Sequence, residues 1–208
     1  MTGSLHGYTR ITIGLIAANF IVFILQLSID GFSELVALTP SLAVSGYYWQ
    51  FFTYMFAHGS ISHIGLNMLG LFIFGGVMER VLGERKYITL YILSGLGSSF
   101  LHMALTGISD IPMLGASGAV FGILAAYAYR FPKNTVWVFP GIPVPAAILV
   151  VFFVFFEFFS GLFGLQPGIA NFGHLGGILV SLALMFFWQK RSRGGSSENS
   201  VEFIWESW

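Results

Sequence analysis

The sequence predicts an all-α membrane protein, a bundle of six transmembrane helices with a first outer loop that lies partly in the membrane. Of its 208 residues, 56% are hydrophobic and only 9% are charged, and the mean hydropathy is +0.81. The apolar runs are long enough to cross a bilayer, and the chain has room for about six spans with short connections. We therefore treat residues 1–190 as one membrane domain and 191–208 as a polar, flexible cytoplasmic tail.

The first span is predicted at residues 10–29. It is too long and too uniformly apolar for a cleaved signal peptide, and no small-residue cleavage site follows it. The connection at 30–58 is only partly polar and carries a cluster of aromatic residues at 47–52. Because aromatic rings favour the membrane interface, we expect this loop to lie half in the bilayer. The remaining spans are predicted at 62–78, 87–105, 117–129, 145–163 and 172–189.

The basic residues predict the orientation of the bundle. With six spans, all nine Lys and Arg residues fall on one side of the membrane. Positive residues favour the cytoplasmic side, so both termini are expected in the cytoplasm and the loops at 30–60, 107–116 and 164–171 outside. The nine residues are Arg10, Arg80, Arg85, Lys86, Arg130, Lys133, Lys190, Arg191 and Arg193.

Composition and motifs exclude several function classes. The chain has no cysteine, which excludes disulfides, a thiol nucleophile and thiolate metal sites. It has no basic patch dense enough to indicate a nucleic-acid partner. The zinc-protease motif His-Glu-x-x-His is missing, because Ile64 follows His63. We therefore predict no metal, no other cofactor and no nucleic acid.

A glycine-bracketed serine, Ser117, is predicted at the start of the fourth span. Its hydroxyl is a weak nucleophile unless a base takes its proton. Taken alone, Gly118 and Gly122 are more simply read as a small-residue face that lets another membrane helix approach closely. The sixth span offers matching small residues at Gly173, Gly176 and Gly177.

Polar residues at the outer ends of three spans change that interpretation. His63 and Asn67 share one face of the second span, Ser117 begins the fourth, and His174 begins the sixth. Helix rise places Asn67 and Ser117 roughly 20 Å, and His174 roughly 24 Å, above the basic residues that end their spans, so they lie at about one depth. Polar groups in a bilayer tend to satisfy one another and to mark function. Further candidates near this site are His58, Gly115 and Gly118, although a histidine such as His58 is more often merely interfacial.

Together these residues resemble the rhomboid family of intramembrane serine proteases. The resemblance runs from residue 10 to residue 188 and depends on four motifs in family order. They are His58-x4-His63-x3-Asn67, Gly75-Gly76-Val77-Met78-Glu79, Gly115-Ala116-Ser117-Gly118 and Gly173-His174-x-Gly176. Each motif is weak alone, but the set combined with six spans is specific.

The resemblance implies a prokaryotic inner-membrane endopeptidase that cleaves transmembrane segments of membrane proteins near the outer leaflet. Its partners would be these substrates and the lipid bilayer. Ser117 would attack the scissile carbonyl, with His174 as general base and then general acid. The Ser117 N–H, His63 and Asn67 would hold the oxyanion. No acid is placed to complete a triad, so we expect a serine–histidine dyad with Phe121 packed against the imidazole.

Two positions differ from the pattern of the resembled family, and a third carries an acid inside a predicted span. The family often has Trp-Arg where this chain has Trp49-Gln50, which affects ion pairing in the first outer loop. Many members have Tyr where this chain has Phe121, which can pack but cannot donate a hydrogen bond. Glu157 is the one acid inside a predicted span, and we expect it near the depth of Ser117, either as a packing residue or as the polar anchor of a lateral gate at the fifth span.

Two other function classes compete with a protease. A catalytically idle relative that only binds transmembrane helices would be expected to lack Ser117 or His174, and both are present. A small membrane transporter would more naturally show inverted repeats or broken helices near the midplane, and the sequence shows neither.

Overall fold

The computed structural model describes residues 9–138, 141–166 and 168–194, and most of these residues are helical. The helices are α1 Arg10–Ser28, α2 Phe32–Val36, α3 Pro40–Val44, α4 Gln50–Thr53, α5 Ile61–Gly70, α6 Gly76–Leu82, α7 Glu84–Thr106, α8 Ser117–Arg130, α9 Ala146–Phe163 and α10 Asn171–Gly194. A π-helical turn, Leu71–Gly75, joins α5 and α6 into one continuous helix. The predicted flexible tail lies outside the described residues except for 191–194, which continue α10.

Within the described residues, five helical stretches are long and apolar enough to cross a membrane by length and composition. They are Arg10–Ser28, Ile61–Leu82, Glu84–Thr106, Ala146–Phe163 and Asn171–Lys190. Their exposed faces are covered with large apolar side chains, as expected for helices that face lipid. The chain is therefore an all-α, multi-pass membrane bundle, as the composition predicts.

The fourth predicted span, α8, is shorter than the others. It has 14 residues, so it is about 21 Å long, less than the ~30 Å of a bilayer's hydrocarbon core. A helix of this length that reaches one membrane surface must end inside the hydrocarbon region. Ser117, at its first position, can therefore lie below the opposite surface without any break in the helix.

The first outer loop is folded into short helices rather than left irregular. It contains α2, α3, α4 and a 3₁₀ turn at Tyr54–Phe56. Gln50 is fully buried in this loop, where its amide accepts from the Thr39 N–H at 3.1 Å and donates to the Glu34 carbonyl at 3.1 Å. Gln50 thus stabilises the loop through backbone hydrogen bonds without placing a charge there.

A two-stranded hairpin connects α8 to α9, and the sequence analysis did not predict it. Strands β1 Thr135–Val138 and β2 Ile142–Pro145 pair antiparallel, with Thr135 opposite Pro145 and Val138 opposite Ile142. Two prolines in four residues argue against a strand, but a hairpin has only edge strands, where a missing N–H is tolerated. Strand β2 leads directly into α9, which begins at Ala146.

The first membrane helix is attached to the second through the buried carboxylate of Glu79. Its two oxygens accept hydrogen bonds from the backbone N–H groups of Ile11, at 2.9 Å, and Thr12, at 2.8 Å, and from the Thr12 hydroxyl at 2.7 Å. The N–H groups of a helix's first turn have no intrahelical acceptor, and an anion there also interacts favourably with the helix dipole. Gly75 leaves room beside this contact for the Tyr87 hydroxyl of α7, which lies 3.1 Å from the Thr12 hydroxyl, because a Cβ at Gly75 would overlap it.

We predict that Glu79→Gln lowers the free energy of unfolding by about 1–3 kcal/mol, because an amide NH₂ would face backbone donors that need an acceptor. The measurement is reversible unfolding in detergent micelles followed by circular dichroism. Glu84→Gln, at an exposed position that starts α7, makes the same chemical change and should cost less than about 1 kcal/mol. Equal losses in the two variants would contradict a specific role for Glu79.

Candidate active site

Ser117 and His174 lie at the same end of the bundle, because α8 and α10 run in the same direction and pack side by side. Ser117 is the first residue of α8, and His174 lies in the first turn of α10. The Nε2 atom of His174 is 2.8 Å from the Oγ atom of Ser117. This is hydrogen-bond distance, so the imidazole can accept the serine proton.

Glycines make this contact possible by letting the two helices approach backbone to backbone. A Cβ at Gly177 of α10 would overlap the carbonyl oxygen of Gly118 on α8. One turn further along, the Ser181 hydroxyl donates to the Gly122 carbonyl at 2.6 Å. The small residues therefore form a packing face and also bring Ser117 to His174.

A cavity of about 310 Å³ opens beside Ser117. Its lining residues include His63 of α5, Gly115 and Ser117 of the loop and start of α8, and His174 of α10. Gly115 has a φ of 131°, a left-handed value that favours glycine. A Cβ there would come within 2.8 Å of the His63 ring, so only glycine leaves that ring its place beside Ser117.

The loop before Ser117 is held in place by the first outer loop. Leu38 and Met113 exchange two backbone hydrogen bonds, both 2.9 Å long, and the Gly115 N–H donates to the Tyr54 carbonyl at 3.0 Å. Burial raises the pKa of Tyr54, which also lines the cavity, to about 12. Its hydroxyl is therefore neutral near pH 7 and is a donor rather than a base.

The His174 ring is held on one face and at its far nitrogen. Phe121 stacks on it with ring centroids 4.5 Å apart and an interplanar angle of 20°. The Nδ1 atom lies 3.0 Å from Oε2 of Glu157 on α9. Nδ1 has no aligned hydrogen-bond partner among the described residues, so this close approach is an electrostatic contact rather than a well-directed hydrogen bond. Asn171 donates to the same carboxylate oxygen at 2.6 Å.

The other histidine of the second-span motif, His58, lies outside the cavity. Its ring is buried and contacts His63 edge-on, with centroids 5.0 Å apart. Burial is the main cause that lowers the pKa of His58 to about 4, and the nearby His63 lowers it further. A ring that is neutral near pH 7 fits a packing role behind His63.

Comparison with known proteins gives the family of this chain. The sequence model of the rhomboid domain matches residues 45–191. The chain belongs to the rhomboid family. It is 30% identical over 181 residues to rhomboid protease GlpG of Enterobacter sp. strain 638, an alignment that covers 84% of this chain and 62% of that protein.

Two further relatives are matched over a smaller share of their own length. Rhomboid protease GluP of Bacillus subtilis is 29% identical over 181 residues, which are 84% of this chain and 34% of GluP. Rhomboid-type serine protease 2 of Emericella nidulans is 34% identical over 137 residues, which are 66% of this chain and 26% of that protein. This rhomboid chain thus spans from about a quarter to less than two thirds of the length of these relatives.

The structure brings together only part of the predicted rhomboid site. Ser117, His174, His63 and Gly115 meet at the cavity, and Phe121 stacks on the imidazole as expected. Asn67 is not among the residues that line the cavity, and its side-chain amide donates to the His63 carbonyl at 2.9 Å. Gly118 faces Ser98 and α10, so it contributes packing rather than a contact in the cavity.

The expectation that no acid is placed beside the histidine is wrong, because Glu157 contacts His174 directly. Helix rise alone had already placed this carboxyl at about the depth of Ser117. What rise cannot give is the rotation of α9, which decides whether Glu157 faces lipid, a neighbouring helix or the imidazole. Its position as the one acid within a predicted span was the available signal.

We predict that Gly177→Ala destabilises the rhomboid bundle by about 1–3 kcal/mol, because the added methyl group must separate α10 from α8. Thermal unfolding in detergent measures the loss. Gly14→Ala, at a helical position in α1 with open space around it, is the matched control and should stabilise by up to about 1 kcal/mol through helix propensity. A Gly177→Ala variant as stable as Gly14→Ala would rule out the close α8–α10 contact.

Proposed function

We propose that this chain is an intramembrane serine endopeptidase that cleaves transmembrane segments of membrane proteins, with Ser117 as nucleophile and His174 as base. The observation that carries the proposal is the 2.8 Å contact between Ser117 Oγ and His174 Nε2 beside a cavity. Membership of the rhomboid family supports it, since the relatives include proteins named rhomboid protease and rhomboid-type serine protease.

The chemistry begins with proton transfer. His174 Nε2 takes the proton of Ser117 Oγ while that oxygen attacks the scissile carbonyl carbon, which gives a tetrahedral oxyanion and an imidazolium. The imidazolium then gives the proton to the departing amine as the C–N bond breaks. The Ser117 ester that remains is hydrolysed by water, with His174 acting first as base and then as acid. The serine and histidine are thereby regenerated.

The oxyanion needs donors that point to where negative charge develops. The Ser117 backbone N–H is one, because it lies at the first position of α8, where N–H groups have no intrahelical acceptor and the helix dipole is positive. The His63 side chain, which lines the cavity, is the second. Asn67 donates one amide proton to the His63 carbonyl and does not line the cavity, so it would become a third donor only if its second amide proton reached the oxyanion.

The membrane placement follows from the distribution of charge. With six helices crossing in turn, all nine basic residues fall on the same side of the membrane. We therefore place both termini in the cytoplasm of a prokaryotic cell and Ser117 near the outer leaflet. The short α8 supports this placement, because it leaves Ser117 below the outer surface, where water can enter the cavity. The substrates would then be membrane proteins whose transmembrane helices reach Ser117 sideways from the bilayer.

We predict that Ser117→Ala and His174→Ala each abolish cleavage of a model single-span substrate and labelling by a serine-directed fluorophosphonate, because nucleophile and base act as a unit. Both variants should keep the wild-type melting temperature within a few degrees. Ser28→Ala, whose hydroxyl bonds only its own helix, is the control and should keep full activity, as should wild type in EDTA. Turnover by either variant would reject the pair, and an EDTA loss restored by zinc would indicate a metalloprotease instead.

The second prediction for this function concerns the substrate. A transmembrane helix hides its carbonyls in internal hydrogen bonds, so cleavage requires local unwinding. Replacing Gly or Pro by Leu in the outer half of the substrate span should therefore slow cleavage, because helix propensity increases by about 1 kcal/mol for Gly and about 3 for Pro. The same change in the inner half is the control. An unchanged rate in the outer-half variant would show that unwinding does not limit turnover.

A further inference from the structure

We propose that Glu157, held by Asn171, is a positioning residue for His174, so that this rhomboid site operates as a triad-like arrangement rather than as a bare dyad. The carboxylate orients the imidazole and stabilises the positive charge that forms on it. This inference rests on the proposed function, since it concerns the same reaction of Ser117.

The geometry places the carboxylate and the serine at opposite nitrogens of one ring. Glu157 Oε2 is 3.0 Å from His174 Nδ1, while Ser117 Oγ is 2.8 Å from Nε2. A proton on Nδ1 leaves Nε2 free to accept the serine proton, and a carboxylate beside Nδ1 favours that tautomer. Phe121, stacked on the ring face, restricts the remaining rotation.

The carboxylate itself is held in a fixed position. Glu157 is only 4% exposed, and its Oε2 accepts from Asn171 Nδ2 at 2.6 Å. The same amide nitrogen donates to Gln166 Oε1 at 2.8 Å, so both of its protons have acceptors. Asn171 and His174 are three residues apart on α10, which places both contacts of Glu157 on one face of that helix.

Charge explains why such a group would be kept inside a membrane protein. A buried carboxylate is costly unless a positive charge or several donors compensate it. Among the described residues, His174 is the one basic group at ion-pair distance from Glu157. The compensating charge is therefore the imidazolium, which exists while Ser117 is being acylated and deacylated. An interaction that strengthens as this charge develops lowers the barrier rather than merely stabilising the fold.

Other titratable groups also face His174 and must be considered. His63 approaches from α5 and His102 from α7, whereas α8 contributes Ser117 and Phe121, which do not titrate near neutral pH. A neighbouring histidine can only repel an imidazolium. Glu157 on α9 is thus the described acid that can stabilise it.

The test compares Glu157→Gln and Glu157→Asp with wild type in two reactions, cleavage of a single-span substrate and fluorophosphonate labelling of Ser117. We expect Glu157→Gln to slow both reactions about 10- to 100-fold, less than the ~10⁴-fold loss seen when a well-aligned triad acid becomes an amide. The acid limb of its kcat/KM profile should move to lower pH, because the charged form of the base has lost its stabilising partner. Glu157→Asp keeps the carboxylate and should recover part of the rate.

Controls separate positioning from folding. Glu34→Gln, at an exposed position in α2, should leave rates and pH profile unchanged. Melting temperature and circular dichroism check each variant. If Glu157→Gln does not fold, Asn171→Ala decides instead, because freeing the carboxylate should slow both reactions and shift the same limb in the same direction.

Three outcomes would overturn the inference. One is a folded Glu157→Gln with wild-type labelling and an unmoved pH profile. Another is a loss confined to the transmembrane substrate, which would make Glu157 the anchor of a lateral gate. The third is an equal loss in Glu157→Asp and Glu157→Gln. Failure of the proposed function would look different, because wild type itself would then show no labelling that depends on Ser117.

Discussion

The close approach of α8 and α10 is the contact on which the site depends. Gly118 and Gly177 meet backbone to backbone, and no side chain larger than hydrogen fits between them. In lipid there is no hydrophobic force to hold two helices together, so association depends on van der Waals contact over a close interface and on hydrogen bonds such as that from Ser181 to Gly122. The distance between Ser117 and His174 follows from this contact, since each residue lies in the first turn of one of the two helices. A general base must be within hydrogen-bond reach before its basicity matters.

Buried polar side chains elsewhere in the bundle also have partners. Glu79 accepts from the N-terminal N–H groups of α1, Gln50 bonds two backbone groups of the outer loop, and Glu157 lies between Asn171 and His174. Each of these side chains is buried, and each would be costly without its partners. Two of them stabilise the scaffold. Glu157 differs because one of its partners is the base of the proposed reaction, so its stabilising effect would vary with the protonation state of that base.

The shortness of α8 reconciles hydrolysis with a membrane location. A helix of about 21 Å cannot cross the whole hydrocarbon core, so its first residue lies at the bottom of a cavity instead of at the surface. The 113–116 segment completes the cavity, and its backbone hydrogen bonds tie it to the folded first outer loop. Under the proposed function, the Ser117 hydroxyl would then be reached by water from outside and by a substrate helix from the bilayer.

The sequence by itself determined the class of fold and the pair of residues at the centre of the site. Hydropathy predicts the six membrane helices to within a few residues, because five of them must be long enough to cross the bilayer, and the shorter α8 is still bounded by polar residues. Ser117 and His174 fall at matching depths because helix rise is constant. The π turn in the second membrane helix, the β hairpin and the folded outer loop were decided by tertiary packing, as local pattern in these segments is weak. Rotation of each helix about its axis was also left open. That rotation turns Glu157 of α9 toward His174, and only side-chain packing between helices can set it. The sequence also left open the side-chain conformation of Asn67, which shares a face of α5 with His63 but donates to the His63 carbonyl.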